Sequence, residues 1–148
     1  MTNIIILFCC ILVGFLVGRY LSKRVKNREI FFADLKRYLS LLNVNVRGRC
    51  VDLTTFNREF ALNCSELFAN FLTDGKPPNF LDVNQKQLVA KAFLSLSATT
   101  SAELLSNLEY FEQLVSSQLS SMSNASHNAN MYSKLGVLLG VMVGILLM

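Results

Sequence analysis

Both ends of the chain are apolar runs without a charge, and each carries glycines four residues apart. Met1 to Gly18 contains no Asp, Glu, Lys or Arg and carries Gly14 and Gly18; Leu135 to Met148 contains none either and carries Gly136, Gly140 and Gly144. Residues four apart share one helix face, and small residues there let two membrane helices approach closely. The spacing predicts a hairpin of two membrane helices with a polar body strung between its arms. At 1.5 Å per residue the first run reaches about 27 Å and the second about 21 Å, against a hydrocarbon core of roughly 30 Å. Arg19 and Tyr20 after the first run, and Tyr132 and Lys134 before the second, can lengthen each by snorkelling to the interface. A run as short as the second is commonly a buried core helix. This one is apolar on every face, and a chain of 148 residues rarely surrounds two such helices. The expected organisation is an N-terminal transmembrane helix over 1–21, a cytoplasmic helical domain over 22–133 and a C-terminal transmembrane helix over 134–148.

A cleaved signal peptide would need positive charge before the apolar stretch and small residues after it. Here the basic residues follow: Arg19, Lys23, Arg24, Lys26 and Arg28. A lipid attachment at Cys9 or Cys10 is disfavoured by the large Leu7 and Phe8 ahead of them, so an uncleaved anchor is expected. Lys and Arg are retained on the cytoplasmic side, which predicts an outer N-terminus, an inner body and an outer Met148. Residues 1–37 hold seven basic and two acidic residues, whereas residues 38–148 hold seven and eight. The formal charge of +4 is thus a juxtamembrane cluster, read as a topology signal and a contact for anionic lipids. A nucleic-acid surface would spread basic residues over one face among aromatics, and no nucleic-acid partner is expected.

Four cysteines, two in the first apolar run and Cys50 and Cys64 fourteen apart, form no Cys-x-x-Cys and have no histidine at ligand spacing. They read as small apolar fillers in a reducing compartment; a Cys50–Cys64 disulfide would require the inverted topology.

The body reads as all helix. Phe31, Phe32, Leu35, Tyr38, Leu39, Leu42 and Val46 recur at steps of three and four, which predicts one apolar stripe on a helix continuous with the first apolar run, ended by Arg47-Gly48-Arg49. A second helix is expected over 54–63 with Thr54 or Thr55 as N-cap, and a third over 66–73 capped by Ser65. Asp74-Gly75-Lys76-Pro77-Pro78-Asn79 is the strongest loop signal, followed by a fourth helix over 83–97. The last begins near Ser101 and carries a seam of Leu104, Leu108, Phe111, Val115, Gln118, Met122, Ala125, Ala129 and Tyr132. It fades over Ser120–Asn130, where helix is still expected because no Gly or Pro intervenes.

Little in the chain suggests chemistry. The single histidine, His127, has no carboxylate near it in sequence, and no cluster with metal-ligand spacing occurs. Glu109 and Glu112 lie one turn apart, but without a histidine partner they read as a solvated face. No phosphate-cradling Gly-x-x-x-x-Gly-Lys is present. The expectation is a protein that is not an enzyme and holds no cofactor or metal. Two classes remain: a structural subunit of a membrane machine, or a small holin-like pore, for which a body of about 110 residues is excessive.

The C-terminal run Asn128-Ala129-Asn130-Met131-Tyr132-Ser133-Lys134-Leu135-Gly136-Val137-Leu138-Leu139-Gly140, apolar from there to the end, resembles the close of the stage III sporulation protein AB family. That family ends in a polar-Met-Tyr-x-x-Leu-Gly segment, a second glycine four on and an aliphatic tail. The N-terminal helix, the basic segment and the Phe31–Leu42 stripe are also similar, so the likeness covers the whole layout but is specific in about the last 20 residues. Two departures stand. Family members are somewhat longer, and their Leu-Gly-x-x-Asp element before the last helix appears here as Leu96-Ser97-Ala98-Thr99-Thr100. The resemblance implies a membrane subunit of the channel between mother cell and forespore, with the body on the mother-cell cytoplasmic side. It implies a body similar to the platform F protein of type II secretion, on which a cytosolic hexameric ATPase, stage III sporulation protein AA, docks. Its other partners would be further channel membrane subunits, membrane lipids and, as a homo-oligomer, copies of itself.

Overall fold

The computed structural model describes residues 2–48, 52–97 and 100–146, and over them the chain is all-α. Six helices follow in order: α1 (Thr2–Gly48), α2 (Leu53–Ala61), α3 (Glu66–Asp74), α4 (Val83–Ser95), α5 (Ser101–His127) and α6 (Ala129–Leu146). The chain forms two compact units, one of Met1–Asn27 with Met122–Met148 and one of Arg28–Ser121. No Gly or Pro interrupts α1 between Arg19 and Arg47, so nothing breaks its backbone ladder. The Ser/Asn-rich stretch after Ser120 is helical to His127 and yields a single turn residue, Asn128, before α6. Arg49, Cys50, Ala98 and Thr99 lie outside the described residues, and with them the Cys50–Cys64 pairing.

The body unit is organised by the α1 stripe. Phe31, Phe32, Leu35, Tyr38, Leu39 and Leu42 are buried, and the other helices close over them with Phe60, Phe68, Phe71, Leu81, Val89, Ala92, Leu108 and Val115. The stripe's last member, Val46, is only half-buried. Aromatic rings fill the centre. Tyr38 stacks on Phe93 with centroids 5.5 Å apart, Phe71 meets Phe93 edge-on at 4.8 Å, and Phe68 touches Phe31, Tyr38, Phe60 and Phe71. Each such contact adds about 0.5–1.5 kcal/mol beyond the area it buries.

Polar contacts tie the short helices to α1. The Ser65 amide donates to Asp34 Oδ2 at 3.0 Å, Arg37 Nη1 donates to the Asn63 carbonyl at 3.2 Å, and Lys36 Nζ donates to Ser116 Oγ at 3.1 Å. One capping expectation is corrected: Asp52, not Thr54 or Thr55, holds the N-cap position of α2. Ser65 holds the N-cap position of α3 as expected, although its hydroxyl makes no cap bond and is buried without a partner; its amide is held by Asp34. The loop after α3 forms as its residues dictate. Gly75 sits at φ 67° in the left-handed region open to glycine, and its amide bonds the Phe71 carbonyl at 2.9 Å. The α5 seam is also corrected: Leu108 and Val115 are buried, but Gln118 is exposed, and its neighbour Leu119 is half-buried.

Among the described residues no helix is long and apolar enough to cross a membrane. The charge-free stretch whose side chains are described covers 7–18 in α1 and 135–146 in α6, about 18 Å each at the helical rise, against roughly 30 Å of hydrocarbon. The flanking segments are helices over the described residues.

Candidate functional site

Within the first unit, α1 and α6 run antiparallel with their glycines in contact. A Cβ placed on Gly14 would run into the carbonyl oxygen of Gly136, and one on Gly136 into that of Gly14. On Gly140 it would fall 2.6 Å from the Cys10 oxygen, and the Cα of Gly18 lies 3.1 Å from the Cβ position of Gly136. Gly144 is looser, with the Leu7 Cδ1 at 3.0 Å as its nearest neighbour. All five glycines thus lie along one interface. At Gly14, Gly136 and Gly140 the nearest opposing atoms are backbone, so only hydrogen fits and the two helices gain close van der Waals and Cα–H···O contact. These distances require the tertiary structure, although the four-residue spacing is visible in the sequence.

Beside this interface runs an apolar groove of about 380 Å³, walled by Val13 and Val17 of α1 and Leu139 and Val143 of α6 over a floor that includes Gly14 and Gly140. Cys9 is exposed and Cys10 half-buried along the groove, so Cys9 is not the packed filler expected from its sequence position. The outward faces of both helices are apolar as well: Phe8, Leu16, Leu138 and Ile145 are each about 60 % exposed, and Leu146 is 84 % exposed.

The five basic residues after the first apolar run have different surroundings. Arg19 lies over the Phe15 ring at 5.7 Å. Lys23 and Lys26 are exposed, and Arg24 is half-buried. Arg24 and Lys26 each hold a contact within the protein. Arg28 does something sequence reasoning missed. Its Nη1 and Nη2 donate to the two carboxylate oxygens of Asp82 at 2.8 and 2.6 Å, and its Nε donates to the Phe80 carbonyl at 2.7 Å. Asp82 is the N-cap residue of α4, and its amide donates to Gln85 Oε1 at 3.0 Å. Arg28 therefore fastens the Pro-rich loop and the start of α4 to α1 through a bidentate pair. Asp82 lies 54 residues away in sequence, so no local pattern announced it.

In the body, Glu109 is engaged by Arg47, whose Nε also donates to Asn43 Oδ1 at 2.8 Å. This occupies one of the two carboxylates that looked paired in sequence. The His127 side chain lies outside the described residues. Among the described residues no three His, Cys, Asp or Glu side chains come together as a metal site. Two groups have shifted protonation, both through burial. Burial pushes the Tyr38 hydroxyl well above its ordinary value of 10.0. The Cys64 thiol is raised from 9.0, first by burial and then by the Asp34 charge. Both shifts favour the neutral, unreactive form. Comparison with protein-family models, with curated proteins and with solved structures finds no match.

Proposed function

We propose that this chain is a non-catalytic platform subunit, held in a bacterial membrane by its two terminal helices and presenting its helical body to a cytosolic ATPase. The machine would be the mother cell–forespore channel of sporulation that the resemblance implies. The observation that carries the membrane part is the outward apolar surface of α1 and α6. Burial of such side chains is worth about 25 cal/mol per Å², and here Phe8, Leu16, Leu138, Ile145 and Leu146 leave it unburied. A hydrocarbon surround removes that cost. The sequence continues apolar through Ile4–Ile6 at one side and Leu147–Met148 at the other, and Arg19, Tyr20, Tyr132 and Lys134 can offset part of the remaining shortfall by snorkelling to the interface. The body supports the platform part, with its aromatic core, its arginine–carboxylate fastening and its engaged Glu109. A two-helix pore has no use for such a body.

The test is a tagged pull-down of the full chain from solubilised membranes of sporulating cells. The ATPase is expected in the eluate and is expected to vanish when residues 30–128 are deleted with both apolar ends retained. An eluate without the ATPase in the intact chain removes the platform reading and returns the small pore.

A further inference from the structure

We infer that the groove between α1 and α6 holds an acyl chain of an anionic phospholipid, with the headgroup at its Arg24 end; this rests on the membrane placement proposed above. The groove is walled by Val13, Val17, Leu139 and Val143, and its lining is nearly all apolar. Its volume of about 380 Å³ falls at the lower end of the roughly 300–1,000 Å³ common for small-ligand sites. That admits a run of methylenes.

The groove ends at Val17 on α1 and Gly136 on α6, and polar residues follow it along both helices. Helical periodicity continues the α1 wall from Cys10 and Val17 to Arg24, seven residues apart each time, and from Val13 to Tyr20. It continues the α6 wall from Leu139 back to Tyr132. The antiparallel pairing of Gly14 with Gly136 brings Tyr20 and Tyr132 to about the same level, and both are exposed, at 66 % and 39 %. Tyrosines at this level and an arginine one turn beyond match the order of a lipid from glycerol to phosphate. Arg24 already has a contact within the protein, and its guanidinium carries five donors. The charge sign is set by the whole unit. Met1–Asn27 and Met122–Met148 contain Arg19, Lys23, Arg24, Lys26 and Lys134 and no Asp or Glu, since all ten acidic residues lie between Glu29 and Glu112. A zwitterionic headgroup carries no net charge to be drawn by that imbalance, whereas an anionic one does.

The chain has no tryptophan, so a single one can report on the groove. Leu139→Trp in the groove and Phe8→Trp on the far side of α1 are each placed in the full chain, reconstituted in phosphatidylcholine vesicles. Small equal fractions of brominated phosphatidylglycerol or brominated phosphatidylcholine are then added. At Leu139→Trp the anionic lipid is expected to quench about fivefold more effectively, the equivalent of about 1 kcal/mol for one cation near an anionic group. Phe8→Trp is expected to show no preference, and Arg24→Gln to bring the Leu139→Trp ratio down to that of Phe8→Trp. Equal quenching by both lipids at Leu139→Trp overturns the proposal, leaving ordinary surrounding lipid. Quenching at Phe8→Trp with none at Leu139→Trp also overturns it, because a partner helix or a second copy then covers the groove. Quenching at neither position defeats the membrane placement itself, and the lipid site with it.

Discussion

Tyr38 is fully buried yet keeps its hydroxyl satisfied, donating to Asn57 Oδ1 at 2.7 Å while its ring packs on Phe56, Phe60, Phe68 and Phe93. The sequence marks it as one member of an apolar stripe, but only the fold shows that it is the polar member with a partner on another helix. Its raised pKa gives a signed prediction. The folded state holds the proton more tightly than the unfolded chain does, so the neutral form's stabilisation is complete below pH 10 and is lost as pH rises beyond it. In an alkaline titration followed at 295 nm, Tyr38 is expected to ionise only together with loss of the body's fold. Tyr38→Phe should remove that step and, at neutral pH, lower the melting temperature by about 5 °C for a lost hydrogen bond of about 1 kcal/mol. Ionisation of all four tyrosines in one ordinary step with the near-UV circular dichroism intact would contradict this.

At the level of helices, the glycine contacts predict a graded response. Gly140→Leu and Gly14→Leu meet opposing backbone, which cannot move aside, and should push α1 and α6 apart. Gly144→Ala meets the end of a flexible leucine and should be accommodated. Gly48→Ala meets nothing within 4 Å and should stabilise α1 by up to about 1 kcal/mol. The check is the distance between spin labels on Phe8→Cys and Ile145→Cys with the native cysteines replaced by alanine. It should lengthen for Gly140→Leu and hold for Gly144→Ala, and an unchanged distance in Gly140→Leu would refute the packing. Helices were legible from periodicity because apolar stripes and glycine spacing are local patterns. Their ends were less so: Ser65 carries the residue type of an N-cap, yet its amide is held by Asp34, thirty-one residues away.

For the whole molecule, the segregation of charge is the dominant fact. One unit has five basic and no acidic residues, whereas the body between Arg28 and Ser121 has nine basic against ten acidic ones. Positive charge flanking an apolar segment is retained on the cytoplasmic side. A reporter inserted after Lys76, in the loop that Gly75 opens, is therefore expected to be active only in its cytosolic form. Activity of an exported reporter there would invert the topology and take the platform reading with it.

The all-helical class, the α1 stripe and the two charge-free ends could be read from the chain because each follows from the spacing of apolar, small or charged residues along one helix, and the loop at Gly75 because its Gly-Lys-Pro-Pro run cannot continue one. Tertiary structure alone decided which glycines touch, that a groove lies beside them, and that Arg28 clasps Asp82 instead of standing free in a basic cluster. It also decided that Glu109 belongs to Arg47 and that Gln118 of the expected α5 seam is exposed. Each of these depends on atoms brought together from different helices, and a periodic pattern says which face of a helix is apolar without saying what that face will meet.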